Sequence, residues 1–290
     1  MVENPAQLGY GALSRPSLTW GAGPGVLHDG QEVVIKNIDL SRSFNAGWIY
    51  DAINIFINLK HENIIKPMGY CHEITASLSE DEGKQIVGGR LIDWSSSFRI
   101  IQGIAQGLHY LHEQRFVHMD LKPSNILFDS HMNPRISDFG IAAKLVHVNA
   151  EKTVLDLAGT PGYIAPEYIG EGILSIKCDV YAFGIILIQT ISSMNRHEYP
   201  GRIDLAGWAM VAQDSGRIMK ELFGPAKVDH PQLMEIKRCI EVGVLCIQYH
   251  RHKRPTMADV LLMLSGEKEV PIPEGCRFPV PTRTGEALHS

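Results

Sequence analysis

Cysteine is scarce and scattered. Five (Cys71, Cys178, Cys239, Cys246 and Cys276) are spread over 290 residues without a C-x-x-C pair, an odd set that suits neither a disulfide framework nor a zinc site and points to a reducing compartment. Positive charge is not in excess either: 27 Lys and Arg against 32 Asp and Glu leave a net −5 at pH 7, with a pI near 6.2 and no dense basic run. Neither a nucleic-acid partner nor a polybasic membrane patch is therefore expected. Long apolar runs are missing as well. The most apolar stretch, Val180 to Ile191, is interrupted by Gln189 and falls short of the roughly 20 residues that span a bilayer. The chain start has no charged segment followed by an apolar run, so no signal peptide is expected. A soluble, cytoplasmic chain without a membrane span is the expectation.

The apolar fraction, 44%, is ample for a core, and the length suits one large domain or two small ones. Asp29-Gly30 separates Gly25-Val26-Leu27 from a strand-like run ending near Lys36, which predicts a hairpin. From Ala46 to Leu59, apolar residues recur at helical spacing. Between Cys71 and Trp94 the chain turns polar, and only Ile86-Val87 looks able to nucleate a strand, so this stretch is expected to be a connection. Asp93 can cap a long helix whose one face carries Phe98, Ile101, Ile104, Ala105, Leu108 and Leu111. Further helices are expected at Ile176 to Ser192, near Leu205 to Ser215, at Gln232 to Ile247 and at Met257 to Leu264. Prolines at 271, 273, 279 and 281 predict an extended tail.

The chemistry concentrates in two runs. Asp120, Lys122 and Asn125 lie in His118-Met119-Asp120-Leu121-Lys122-Pro123-Ser124-Asn125, and Asp138 opens Asp138-Phe139-Gly140. Phosphoryl transfer from ATP needs a carboxylate to orient the attacking hydroxyl, two oxygen ligands for magnesium, and a cation near the transferred group. Asp120, Asn125, Asp138 and Lys122 supply those residue types, and their spacing resembles the core of a protein kinase. Three further blocks follow in the order of that family: Gly159 to Tyr168, Asp179 to Gly184, and Arg254-Pro255-Thr256-Met257. With Leu91-Ile92-Asp93-Trp94, Gly107 to His112 and Met132 to Ser137, the whole resembles the receptor-like Ser/Thr kinases of plants.

The resemblance implies an α+β, two-lobed fold. The expected division is 1–24 an atypical N-terminal segment, 25–88 a shortened small lobe, 89–266 a large helical lobe and 267–290 a Pro-rich tail. It implies ATP and Mg2+ as cofactors, a protein substrate, and receptor or co-receptor kinases as partners. Carried over by position, Asp120 is the catalytic base, Lys122 the cation on the phosphoryl group, and Asn125 and Asp138 the metal ligands. Lys36 holds the nucleotide phosphates, and Thr160 sits beside the acceptor hydroxyl, which favours Ser/Thr over Tyr. Glu167 and Arg254 form a structural pair, and Asp179 ties the catalytic loop to the core.

The small lobe departs from the family pattern. No Glu occurs between Lys36 and His61, and Ala52 stands where the partner of Lys36 is expected, so Lys36 is expected to pair with Asp138 instead. Gly21-Ala22-Gly23-Pro24-Gly25 is glycine-rich but lacks the G-x-G-x-x-G register and suits a linker as well as a phosphate-covering loop. Without a recognisable strand between Cys71 and Trp94, an open sheet edge and a marginal small lobe are expected. These departures keep a pseudokinase scaffold with impaired nucleotide binding as the alternative function. Met119 replaces the arginine that many kinases use to capture a phosphate, and Thr153 is the one hydroxyl residue between Gly140 and Gly159. An activity that does not depend on phosphorylation of this segment follows.

Overall fold

The computed structural model describes residues 19–26, 32–38, 58–71, 76–80, 93–155, 157–193, 206, 209 and 229–271. Four strands, β1 (Thr19–Val26), β2 (Glu32–Ile38), β3 (Lys66–Cys71) and β4 (Ala76–Glu80), form an antiparallel sheet in the order β1-β2-β4-β3. The predicted hairpin is present: Gly25 pairs with Val33 and Val26 with Glu32. Its first strand begins earlier than expected, so the glycine cluster at 21–25 is strand backbone, with Ala22 opposite Lys36.

The segment expected to be a polar connection contains a strand. β4 lies between β2 and β3, pairing Lys36 with Ser77 on one side and Tyr70 with Ser77 on the other. Ala76-Ser77-Leu78-Ser79-Glu80 has weak intrinsic strand preference, but an inner position satisfies its backbone groups on both edges, and that context outweighs propensity. Among the described residues β2 is paired on both sides, and β3, like β1, ends the sheet.

The remainder is mainly helical. Helix α1 (Trp94–Glu113) starts at Asp93, whose side chain accepts from Ser96 N at 2.8 Å, and buries Ile100, Ile101, Ile104, Ala105, Leu108 and Leu111. Next come β5 (Phe116–Val117), β6 (Ile126–Phe128), β7 (Pro134–Ile136), β8 (Ala143–Lys144) and β9 (Lys152–Thr153). Helix α2 (Pro166–Glu171) and β10 (Ile173–Leu174) lead into α3 (Ile176–Ser193). This helix is apolar around most of its circumference, as a central helix must be: Val180, Phe183, Ile185, Leu187, Ile188 and Ile191 are all buried. Helix α4 (His230–Cys246) crosses it at glycines; a Cβ on Gly184 would lie 2.7 Å from that of Cys246. It begins two residues before the predicted start, capped by Asp229, because Pro231 is accommodated in the first turn. Helix α5 (Met257–Ser265) packs on α1.

The chain before β3 is laced to the helical part. Ile65 N donates to Ile136 O (2.9 Å), Ile136 N to Asn63 O (2.8 Å) and Asn63 Nδ2 to Pro134 O (3.0 Å). Gly103 and Gly107 on α1 make this approach possible, since a Cβ on Gly107 would lie 2.9 Å from Asn63 O. The predicted helix at 46–59 lies outside the described residues except for its last two. Those near 205–215 and the Pro-rich tail lie largely outside them too, as do Ala52 and the side chain of Lys36. The expected Lys36–Asp138 pairing is therefore outside the described residues as well.

Candidate active site

The loop between β5 and β6 carries Asp120, and a buried carboxylate from α3 shapes it. Asp179, 1% exposed, accepts from His118 N (2.7 Å), Met119 N (2.9 Å) and the His112 imidazole (3.1 Å). Met119 is held at φ 69°, a left-handed conformation that a long side chain adopts at a cost of about 1–3 kcal/mol. The two bonds to Asp179 fix the loop in that shape and so fix the direction in which Asp120 emerges.

His118 braces the same loop from below. Its Nδ1 accepts from Asp120 N (3.3 Å), which leaves the proton on Nε2 to donate to Ser137 O (2.9 Å). Ser137 in turn donates through N (2.9 Å) and Oγ (3.0 Å) to Asn125 O. The neighbourhoods of Asp120, Asn125 and Asp138 are thus stitched together, and Asp138 itself lies at φ 69°.

Three side chains meet at the carboxylate of Asp120. Lys122 Nζ donates to Asp120 Oδ2 and to Thr160 Oγ1, both at 2.8 Å, and Thr160 Oγ1 donates to Asp120 Oδ1 at 2.6 Å. Asn125 Nδ2 donates to Asp120 O at 2.7 Å, with Oδ2 at 3.3 Å. Asp120 and Asn125 are buried and Lys122 is partly so, so these dipoles act where water screens them weakly.

With Nδ2 donating to Asp120, the amide oxygen is the Asn125 atom able to ligate a cation. Among the described residues no group of three or more His, Cys, Asp or Glu is arranged to hold a metal ion. One carboxylate and one amide oxygen suit a magnesium ion that takes its other oxygens from phosphates and water.

Glu167 and Arg254 meet as expected. Arg254 Nη1 and Nη2 each donate to one Glu167 oxygen at 2.7 Å. The other donors reach the carbonyls of Gln248 (2.7 Å), Lys177 (3.0 Å) and Tyr249 (3.1 Å), so all five N–H groups are satisfied at 1% exposure. Sequence reasoning missed Lys177, whose ammonium donates to the carbonyls of Arg254 (2.6 Å) and Pro255 (2.9 Å) and whose pKa burial lowers. Nothing in its sequence neighbourhood signals a link 77 residues away.

The protein kinase domain pattern matches residues 24–263. The chain belongs to the protein kinase domain family. The kinase has the two-lobed α+β fold of that family, whose members use ATP, a divalent metal and protein substrates. It is similar to plant receptor-like kinases. A G-type lectin S-receptor-like serine/threonine-protein kinase of Arabidopsis thaliana is 35% identical over 282 residues, 91% of this chain and 34% of the relative. Cysteine-rich receptor-like protein kinase 6 of Oryza sativa subsp. japonica is 36% identical over 257 residues, covering 83% and 37%. Cysteine-rich receptor-like protein kinase 10 of Arabidopsis thaliana is 34% identical over 270 residues, covering 86% and 40%. The kinase thus spans about a third of the length of these relatives.

Proposed function

We propose that the chain transfers the γ-phosphate of ATP, with Mg2+, to serine or threonine hydroxyls of protein substrates in receptor-like kinase signalling. The observation that carries this reading is the triangle of Asp120, Lys122 and Thr160. The incoming hydroxyl donates to Asp120 beside the Thr160 hydroxyl, which orients it for in-line attack. Lys122 lies within reach of the same carboxylate and neutralises charge on the transferring phosphoryl group. Asn125 and Asp138 hold the metal, which offsets charge on the phosphate oxygens. Lys36, on the inner strand β2, holds the nucleotide phosphates. Thr160 against Asp120 suits a short aliphatic hydroxyl better than a phenol.

We place the chain on the cytoplasmic side, with receptor or co-receptor kinases as partners and the lobe boundaries as read from the sequence. In support, Cys178, Cys239 and Cys246 are free and buried, and burial pushes the Cys178 and Cys246 thiols up to about 12. Among the described residues no helix is long and apolar enough to cross a membrane.

A pseudokinase scaffold is the second reading. It is favoured by the missing Glu between Lys36 and His61 and by the glycine cluster lying in a strand. Magnesium-dependent ATP binding followed by phosphate transfer to a generic protein, compared with Asp120→Asn, separates the two. A kinase loses at least about a hundredfold in turnover in the variant; a scaffold shows no transfer in either protein.

A further inference from the structure

The 3-10 turn Arg251–Lys253 and the residue after it present two arginines three positions apart. Arg254 points inward to Glu167. Arg251 points to the surface, where Nε donates to Glu151 Oε1 at 2.7 Å and Nη2 to Glu151 Oε2 at 3.0 Å, with Glu171 Oε2 3.9 Å from Nη1. One turn of backbone therefore grips both ends of the segment from Glu151 to Glu167.

Between those grips the segment is tied down in register. Thr153 pairs with Ile173 and Lys152 with Leu174, Val154 N donates to Gly172 O (2.9 Å), and Ala158 N donates to Tyr168 Oη (3.2 Å). Thr160 then reaches Asp120 and Lys122. Thr153 is exposed. The Arg251 hydrogen bond is the largest influence on Glu151 and holds its carboxyl below the ordinary range.

We propose that Glu151 and Arg251 are positioning residues: their forked ion pair seats the start of the segment so that Thr160 is delivered onto Asp120 and Lys122. The catalytic consequence rests on the kinase reading above; the ordering does not.

A double-mutant cycle on the full chain tests this, using Glu151→Gln, Arg251→Gln and the two together. Amide exchange is read across 152–160, and kcat and KM for a peptide and for ATP are read in parallel. Each single change is expected to speed exchange and to lower peptide kcat/KM by about two- to fivefold, the span of a partly exposed ion pair. KM for ATP stays constant. The double variant matches Arg251→Gln, because Glu151 acts only through Arg251, which also lies 3.9 Å from Glu171. Arg251→Lys, which keeps the charge and loses the fork, lies between wild type and Arg251→Gln. Unchanged exchange in the single variants, or single effects that multiply in the double, overturns the proposal. Should the wild-type chain transfer no phosphate, the kinase reading fails, and the exchange data alone still decide whether the pair orders the segment.

Discussion

Arg254 shows how much one side chain can organise. Its five donors bind one carboxylate and three carbonyls, and its guanidinium lies 5.0 Å from the centre of the Tyr181 ring. Replacing it with methionine removes the charge and strands Glu167, which is 5% exposed and, among the described residues, linked otherwise only to the weak thiol donor of Cys178 at 3.8 Å. Arg254→Met is expected to cost about 3–5 kcal/mol in denaturant unfolding; combining it with Glu167→Gln, which removes the stranded charge, should recover part of that loss. Gly172 is a second such position. Its φ is 65°, and a Cβ there would lie 2.3 Å from Val154 O, the residue whose N–H it accepts. Gly172→Ala should destabilise by about 1–3 kcal/mol and accelerate amide exchange at Val154. An unfolding curve identical to wild type would show that the β9–β10 contact is looser than drawn.

At the scale of the element, α5 is set by its caps. Thr256 accepts from Asp259 N (3.1 Å), Thr256 N donates back to Asp259 Oδ2 (3.3 Å), and Gly266 at φ 83° closes the other end. Lys268 and Thr256 hold the Asp259 carboxyl down at about 2, against an ordinary 3.8. A depressed carboxylate stabilises the fold fully above its unfolded value and loses that contribution as pH falls through the folded one. The gap in melting temperature between wild type and Asp259→Asn should thus be constant above about pH 4 and close as pH approaches about 2. Elements of this kind were legible in the sequence: Asp93 and the apolar face of α1 are local signals, and the predicted helices α1, α3, α4 and α5 start within two residues of their predicted positions. β4 was not legible, because Ala76-Ser77-Leu78-Ser79-Glu80 carries little strand preference and is held by neighbours on both sides. The β9–β10 pairing was missed for a related reason: two-residue strands are specified by register with a distant partner.

The whole molecule places a small sheet beside a helical body built around α3, with the stretch before β3 laced along β7. The site belongs to that body. Asp120, Lys122 and Asn125 were singled out by residue type and spacing and Thr160 by the family resemblance, and the structure brings these four side chains into hydrogen-bond contact. The Glu151–Arg251 fork was not readable, since an ion pair across 100 residues leaves no local mark. The central claim is that this cluster performs magnesium-dependent phosphate transfer from ATP. Radiolabelled transfer from [γ-32P]ATP to serine and threonine of a generic protein, with and without Mg2+ and in Asp120→Asn, tests it most directly. Transfer that requires Mg2+ and falls at least about a hundredfold in the variant is the predicted result. Transfer at the same rate in wild type and Asp120→Asn, or none in either, contradicts it.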